Sequence, residues 1–187
     1  MSPAAARTSN EAIIVAARAL LEAGGPDAVT MQAVADTVGV RAPSLYKRFA
    51  DRSALLTALA DDVAADLARA VAPPTHIRDP QHALRRMAAR YRAFAHRSPR
   101  SYQLLFGATG AQPTPATNAL AAAGVLRVAE ALVGPADALE AARLLVAFAH
   151  GFVSMELAGA FRLGGNVNAA FDYSLETLIR GLTSRPT

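Results

Sequence analysis

TMQAVADTVGVRAPSLYKRFADR, residues 30–52, decides how the rest of the chain is read. Its spacing predicts two short helices joined at Gly39. On the first, Val34 and Val38 stand at i and i+4 with small Ala35 beside them, one apolar face on about two turns. Thr30 is placed to cap that helix, and Gly39 follows Val38 where a helix stop calls for a left-handed residue. Ala42 precedes a proline and is biased away from helical angles, while Pro43 suits the first helical position, so the second helix is expected to begin near Pro43. Leu45 and Phe49 then share its inward face. At about 100° per residue Pro43, Ser44 and Lys47 fall opposite, with Tyr46 and Arg48 on the flanks. A short helix held from behind and showing small, hydroxyl and cationic groups suits the major groove of DNA.

The pattern Thr30…Ala33-Val34-Ala35…Val38-Gly39-Val40…Leu45-Tyr46…Phe49…Arg52…Leu55-Leu56 resembles the signature of the TetR family of transcriptional repressors. Ala50 stands where the family usually has proline, Arg52 where lysine is common, and Lys47 where histidine often sits. The last two keep or add cationic character. A second stretch, Phe148-Ala149-His150-Gly151-Phe152-Val153-Ser154-Met155-Glu156-Leu157, resembles the C-terminal regulatory domain of one TetR subgroup, with Phe148 near the place of a tryptophan that precedes a His-Gly pair.

Composition agrees and excludes other classes. The 187 residues allow a small head on a larger body. A hydrophobic share of 52% is high for a lone soluble monomer and suggests surface covered by a partner chain. With no cysteine there are no disulfides, thiolate metal sites or cysteine nucleophiles. Four histidines without metal-ligand spacing predict no metal, and no cofactor is expected. The N-terminal MSPAAARTSN lacks the apolar core of a signal peptide, so a cytoplasmic location is expected. The net charge of +4 fits a nucleic-acid partner, but residues 1–52 carry six cationic side chains against five carboxylates. The clustering between Arg41 and Arg52 matters more than bulk charge.

The expected fold is all-α: a three-helix DNA-binding head over 1–52, a connecting helix over 53–74, and a helical body for ligand binding and dimerisation over 75–187. A first helix runs from a Ser9 or Asn10 cap to about Ala23. Asp51 caps the connecting helix, which ends before Pro73-Pro74. Asp79-Pro80 opens a fifth helix with an apolar face and an arginine stripe (Arg86, Arg90, Arg97), read as solvated and partly neutralised by Asp61, Asp62 or Asp66. Ser98-Pro99 restarts a sixth. Ala116–Val133 forms a seventh, and an eighth from about Ala136 to Leu163 is apolar on two sides. Arg143, His150 and Glu156 interrupt it, which argues against a membrane span. The last helix covers about Asn168 to Leu182.

The DNA-contact candidates are Thr30, Arg41, Ala42, Pro43, Ser44, Tyr46, Lys47 and Arg52. Arg41 can read a guanine edge or hold a phosphate; Thr30 and Arg52 sit at helix starts that favour phosphate. A cavity in the body would draw on Met87, Tyr91, Tyr102, Phe106, Phe148, His150, Phe152 and Met155, and so take a hydrophobic or aromatic small molecule. A subunit interface would draw on Ala142, Val146, Ala149 and Val153 of the eighth helix, with Phe171, Leu175, Leu178, Ile179 and Leu182 of the last. The expected partners are therefore a palindromic double-stranded DNA operator, a small-molecule effector and a second copy of the chain. Two other readings stand beside the repressor: a TetR-like activator or non-repressing sensor, and a hydrolase using Ser154 and His150. The hydrolase lacks an acidic orienter and a glycine elbow, so no enzyme and no catalytic residue is expected.

Overall fold

A computed structural model of the chain describes residues 9–107 and 111–184, and all regular structure among them is helical. The described residues divide into two compact units, one drawn from within 1–66 and 98–118, the other from within 67–97 and 119–187. The stretch 98–118, placed in the body by its sequence, thus belongs to the first unit.

In the first unit α1 (Asn10–Gly24) starts where Ser9 Oγ accepts the Ala12 N–H at 3.1 Å. A 3₁₀ turn (Pro26–Ala28) leads to α2 (Met31–Val38), whose Thr30 cap accepts the Ala33 N–H at 3.1 Å. Gly39 closes α2 at φ 72°, the left-handed region, and the Val40 N–H reaches back to Ala35 O at 2.9 Å. Next comes α3 (Ala42–Tyr46), then α4 (Arg52–Val71), where Asp51 Oδ1 accepts the Ala54 N–H at 2.8 Å. One core joins them: Ile13, Leu21, Val34, Leu45, Leu55 and Leu59 are fully enclosed. The helix α6 (Pro99–Phe106) packs on α1, where Glu22 accepts the Ser101 N–H at 2.8 Å and Arg100 donates to Glu22 O at 2.9 Å.

In the second unit α5 (Pro80–Arg97), α7 (Pro115–Val133, begun in the first unit), α8 (Ala138–Leu157) and α9 (Val167–Thr183) enclose an apolar core. Leu84 and Met87 meet Val128, Leu145, Phe171 and Ile179 there. Both α7 and α8 are long and apolar enough to cross a membrane by length and composition. On α8, however, Ala141, Ala142, Leu145 and Val153 are buried within the protein itself.

Three expectations change. First, α8 ends at Leu157 rather than Leu163, because Gly159 turns left-handed at φ 63° and the Ala160 N–H folds back onto Met155 O. Second, Ala142, Val153, Phe171, Leu175, Ile179 and Leu182, assigned to a subunit interface, are buried in the chain's own core and so have no surface to offer a partner. Of that group Val146 is exposed, and Ala149 and Leu178 are half-buried. Third, Asp62 and Asp66 hold Arg18, and Asp61 accepts from Thr114. The α5 arginines that are neutralised use other carboxylates: Arg85 donates to both Glu176 oxygens at 2.5 and 2.9 Å, and Arg92 pairs with Glu156.

Candidate nucleic-acid interface

The helix α3 is only five residues long, so its orientation depends on what lies behind it. Leu45 is fully enclosed and Phe49 nearly so, yet Phe49 lies beyond the end of α3 rather than on it. A turn over Lys47 and Arg48 brings it inward, with the Phe49 N–H still donating to Leu45 O at 2.9 Å. Two hydrophobes one turn apart therefore pin the element from one side.

On the other side Arg41, Pro43, Tyr46 and Lys47 are exposed, with Ala42 and Ser44 half-buried between them. Arg41 occupies the N-cap position in an extended conformation, ahead of the helix rather than on it. Lys47 makes no hydrogen bond or ion pair among the described residues, so its ammonium is available to an outside anion. Nearby carboxylates are engaged elsewhere: Asp36 accepts from Gln32 Nε2 at 2.7 Å, and Asp51 caps α4. The surface is left with Arg41, Lys47 and Arg48 facing solvent. Periodicity puts Arg48 on a flank, and α3 ends two residues before it, which leaves it exposed.

Thr30 and Arg52 carry structural duties. Thr30 Oγ1 is the cap of α2, though it remains exposed. Arg52 donates from Nε to Val29 O at 2.8 Å and from a terminal nitrogen to Pro26 O at 2.6 Å. Its guanidinium ties the 3₁₀ turn to the start of α4, a use that pattern matching cannot see because the acceptors are main-chain atoms over twenty residues away.

The residues proposed for a ligand cavity scatter. Phe148 stacks on Phe171 with ring centroids 5.6 Å apart, Phe152 meets Phe171 edge-on at 5.1 Å, and Phe152 also meets Phe161 at 4.7 Å. Arg92 lies over Phe171, 4.9 Å from its centroid. This is packed core edge. Met155 is 48% exposed, Tyr91 is half-buried, and Met87 is buried but reaches a groove that Val71, Pro73 and Arg86 also line. Tyr102 and Phe106 belong to the first unit, their rings 5.0 Å apart. Burial pushes the His150 imidazole below its ordinary pKa, which favours the neutral ring. Glu156 is held far down, at about 2, by the hydrogen bond from Arg92 first and by His96 Nε2 at 3.0 Å second, against the cost of partial burial.

Two family models match. "Bacterial regulatory proteins, tetR family" covers residues 13–59, and "Tetracyclin repressor-like, C-terminal domain" covers residues 84–178, just over half the chain. An uncharacterized HTH-type transcriptional regulator of Mycobacterium tuberculosis is 28% identical over 190 residues, which span 97% of this chain and 85% of that protein. Among solved structures, a TetR variant from Acinetobacter baumannii in complex with minocycline is 26% identical, with a TM-score of 0.69 over 92% of this chain and 95% of that one. A TetR regulator from Streptomyces coelicolor, 21% identical, shares the fold at a TM-score of 0.76 over 95% of this chain and 100% of that one.

Proposed function

This chain belongs to the tetR family of bacterial transcriptional regulators, with a DNA-binding helix-turn-helix and a ligand-binding C-terminal domain, and from that premise we propose that it is a cytoplasmic repressor released from its operator by a small molecule. Two copies bind a palindromic site, each placing α3 in the major groove, with half-sites about one helical turn or a multiple apart. Arg41, Ala42, Pro43, Ser44, Tyr46 and Lys47 meet the duplex. Lys47 and Tyr46 hold phosphate, and Arg41 stands where its fork can meet a guanine edge or the backbone. Thr30 adds the start of α2, where unpaired N–H groups favour phosphate.

The observation that carries this reading is the two-sidedness of the α3 region: Leu45 and Phe49 buried, Arg41, Tyr46 and Lys47 in solvent. A structural brace would show no such cluster of unengaged cations. For dimerisation the exposed faces of α8 and α9 supply the surface, with Leu144, Met155 and Tyr173 as its large residues. An effector releases DNA only to the extent that it binds the non-operator conformation more tightly.

The test is selection of bound duplexes from random-sequence DNA by gel shift. Recovered sequences sharing one palindrome support the proposal; recovery of no preferred sequence overturns it. A reporter driven from the selected site then separates repression from activation.

A further inference from the structure

In the second unit, the last residue of α4, the loop that follows it and the first three turns of α5 line a groove of about 400 Å³, within the roughly 300–1,000 Å³ range of small-molecule sites. Its floor is apolar: Val71, Pro73, Ala83 and Met87 line it, the last two buried. Its rim is cationic. His82, Arg86 and Arg90 stand at i, i+4 and i+8, one stripe along α5, directly beside the Ala83–Met87 stripe. His76 and Arg78 complete the rim from the preceding loop, and all five are exposed. Asp79 is the single carboxylate in the lining, and its Oδ1 accepts the His82 N–H at 2.9 Å as the cap of α5.

Neutralisation separates these arginines from their neighbours. Arg85 and Arg92, on other faces of α5, are satisfied by Glu176 and Glu156. Arg78, Arg86 and Arg90 make no ion pair among the described residues. The wall is also built rather than loose. Arg127 donates to Pro74 O at 2.9 Å and to Thr75 O at 2.7 Å, and a Cβ at Gly124 would lie 3.1 Å from Pro73 Cδ, so α7 sits close against the loop.

The geometry points to an organic anion as the occupant: a carboxylate or phosphate head on the Arg86–Arg90 rim and an apolar body against Met87 and Val71. The arginine forks supply charge-assisted hydrogen bonds, and the floor supplies burial that inorganic ions cannot use. A DNA backbone would satisfy the cations but leave the floor without a partner. Calling this anion the effector rests on the regulator reading above; the groove and its chemistry do not.

Calorimetric titration of the full chain with octanoate, octyl phosphate, octanol and inorganic phosphate tests it. Octanoate or octyl phosphate should bind at one per chain, with octanol and inorganic phosphate each weaker by about tenfold or more. The R86Q/R90Q double variant, whose side chains are exposed and whose melting temperature should be unchanged, should lose about tenfold or more in affinity for the anionic amphiphile. Octanol binding as tightly as octanoate, an unchanged affinity in R86Q/R90Q, or no binding of either amphiphile overturns the proposal. So does a variant that loses only duplex affinity, which would make this a nucleic-acid surface. If amphiphile binding holds but no duplex is selected, the regulator reading falls and the groove stands; the converse result removes the groove alone.

Discussion

Lys47 and Arg52 lie five positions apart in one signature, yet their surroundings give them opposite jobs. Arg52 bonds two main-chain carbonyls, and replacing it with alanine strands both acceptors. R52A should destabilise the head by about 1–3 kcal/mol, read as a lower urea midpoint for unfolding. Lys47 holds nothing within the chain, so K47A should leave that midpoint in place. It should weaken binding to every duplex alike and reduce the salt slope by about one, and an unaltered slope would remove the phosphate role. Glu156 makes a third case. Its pKa is depressed from near 4.5 to about 2 by Arg92 and His96, so its contribution to stability is complete above the unfolded carboxylate range and is lost as pH falls toward about 2. Denaturant midpoints at about pH 6 and about pH 3 should therefore fall further in the wild type than in E156Q. Equal falls would show that the ion pair does not carry this acid sensitivity. Neither the Arg52 bonds nor the Arg92–Glu156 pair was legible in the sequence, because their partners are set by helix packing rather than by spacing.

At the scale of elements, caps and stops were legible because they are local. Ser9, Thr30, Gly39 and Asp51 act within three or four residues of themselves, and each was readable from the pattern. Gly39 holds φ 72°, which a side chain disfavours, so Gly39→Val should destabilise the helix-turn-helix by about 1–2 kcal/mol. Faster amide exchange in α2 and α3, with α8 and α9 unaffected, would be its signature; uniform loss of protection would mean that the turn is not a local element. Two helices stop short of their apolar periodicity. Periodicity extended α3 to Phe49 and α8 to Leu163, since apolar residues kept arriving on the right face. The backbone had already left the helix, through the turn at Lys47 in one case and the left-handed Gly159 in the other.

For the whole molecule, the decisive question is which apolar faces the chain covers itself. Phe171, Leu175, Ile179 and Leu182 looked like an interface because they form one clean stripe, and they are instead the inner stripe of α9. What remains outside includes Leu139, Leu144, Val146 and Met155 on α8 and Tyr173 on α9, with Leu144, Met155 and Tyr173 at 44%, 48% and 71% exposure. If these faces join two copies, an L144E/M155E double variant should run as a monomer in light scattering. It should also lose about a hundredfold or more in affinity for a two-half-site duplex, since the second half-site is then no longer tethered. A variant that stays dimeric at the same concentration would place the interface elsewhere.

The sequence by itself determined the all-helical class, the helix-turn-helix and its outward face, because capping, turn glycines and short-range periodicity are written over three to eight adjacent residues. Only the tertiary structure decided which stripe of α9 faces inward, which carboxylates neutralise which arginines, and that Arg86 and Arg90 overhang an apolar groove. Those outcomes depend on what residues distant in the chain bring to each face, and an amphipathic helix has the same pattern whichever neighbour it packs against.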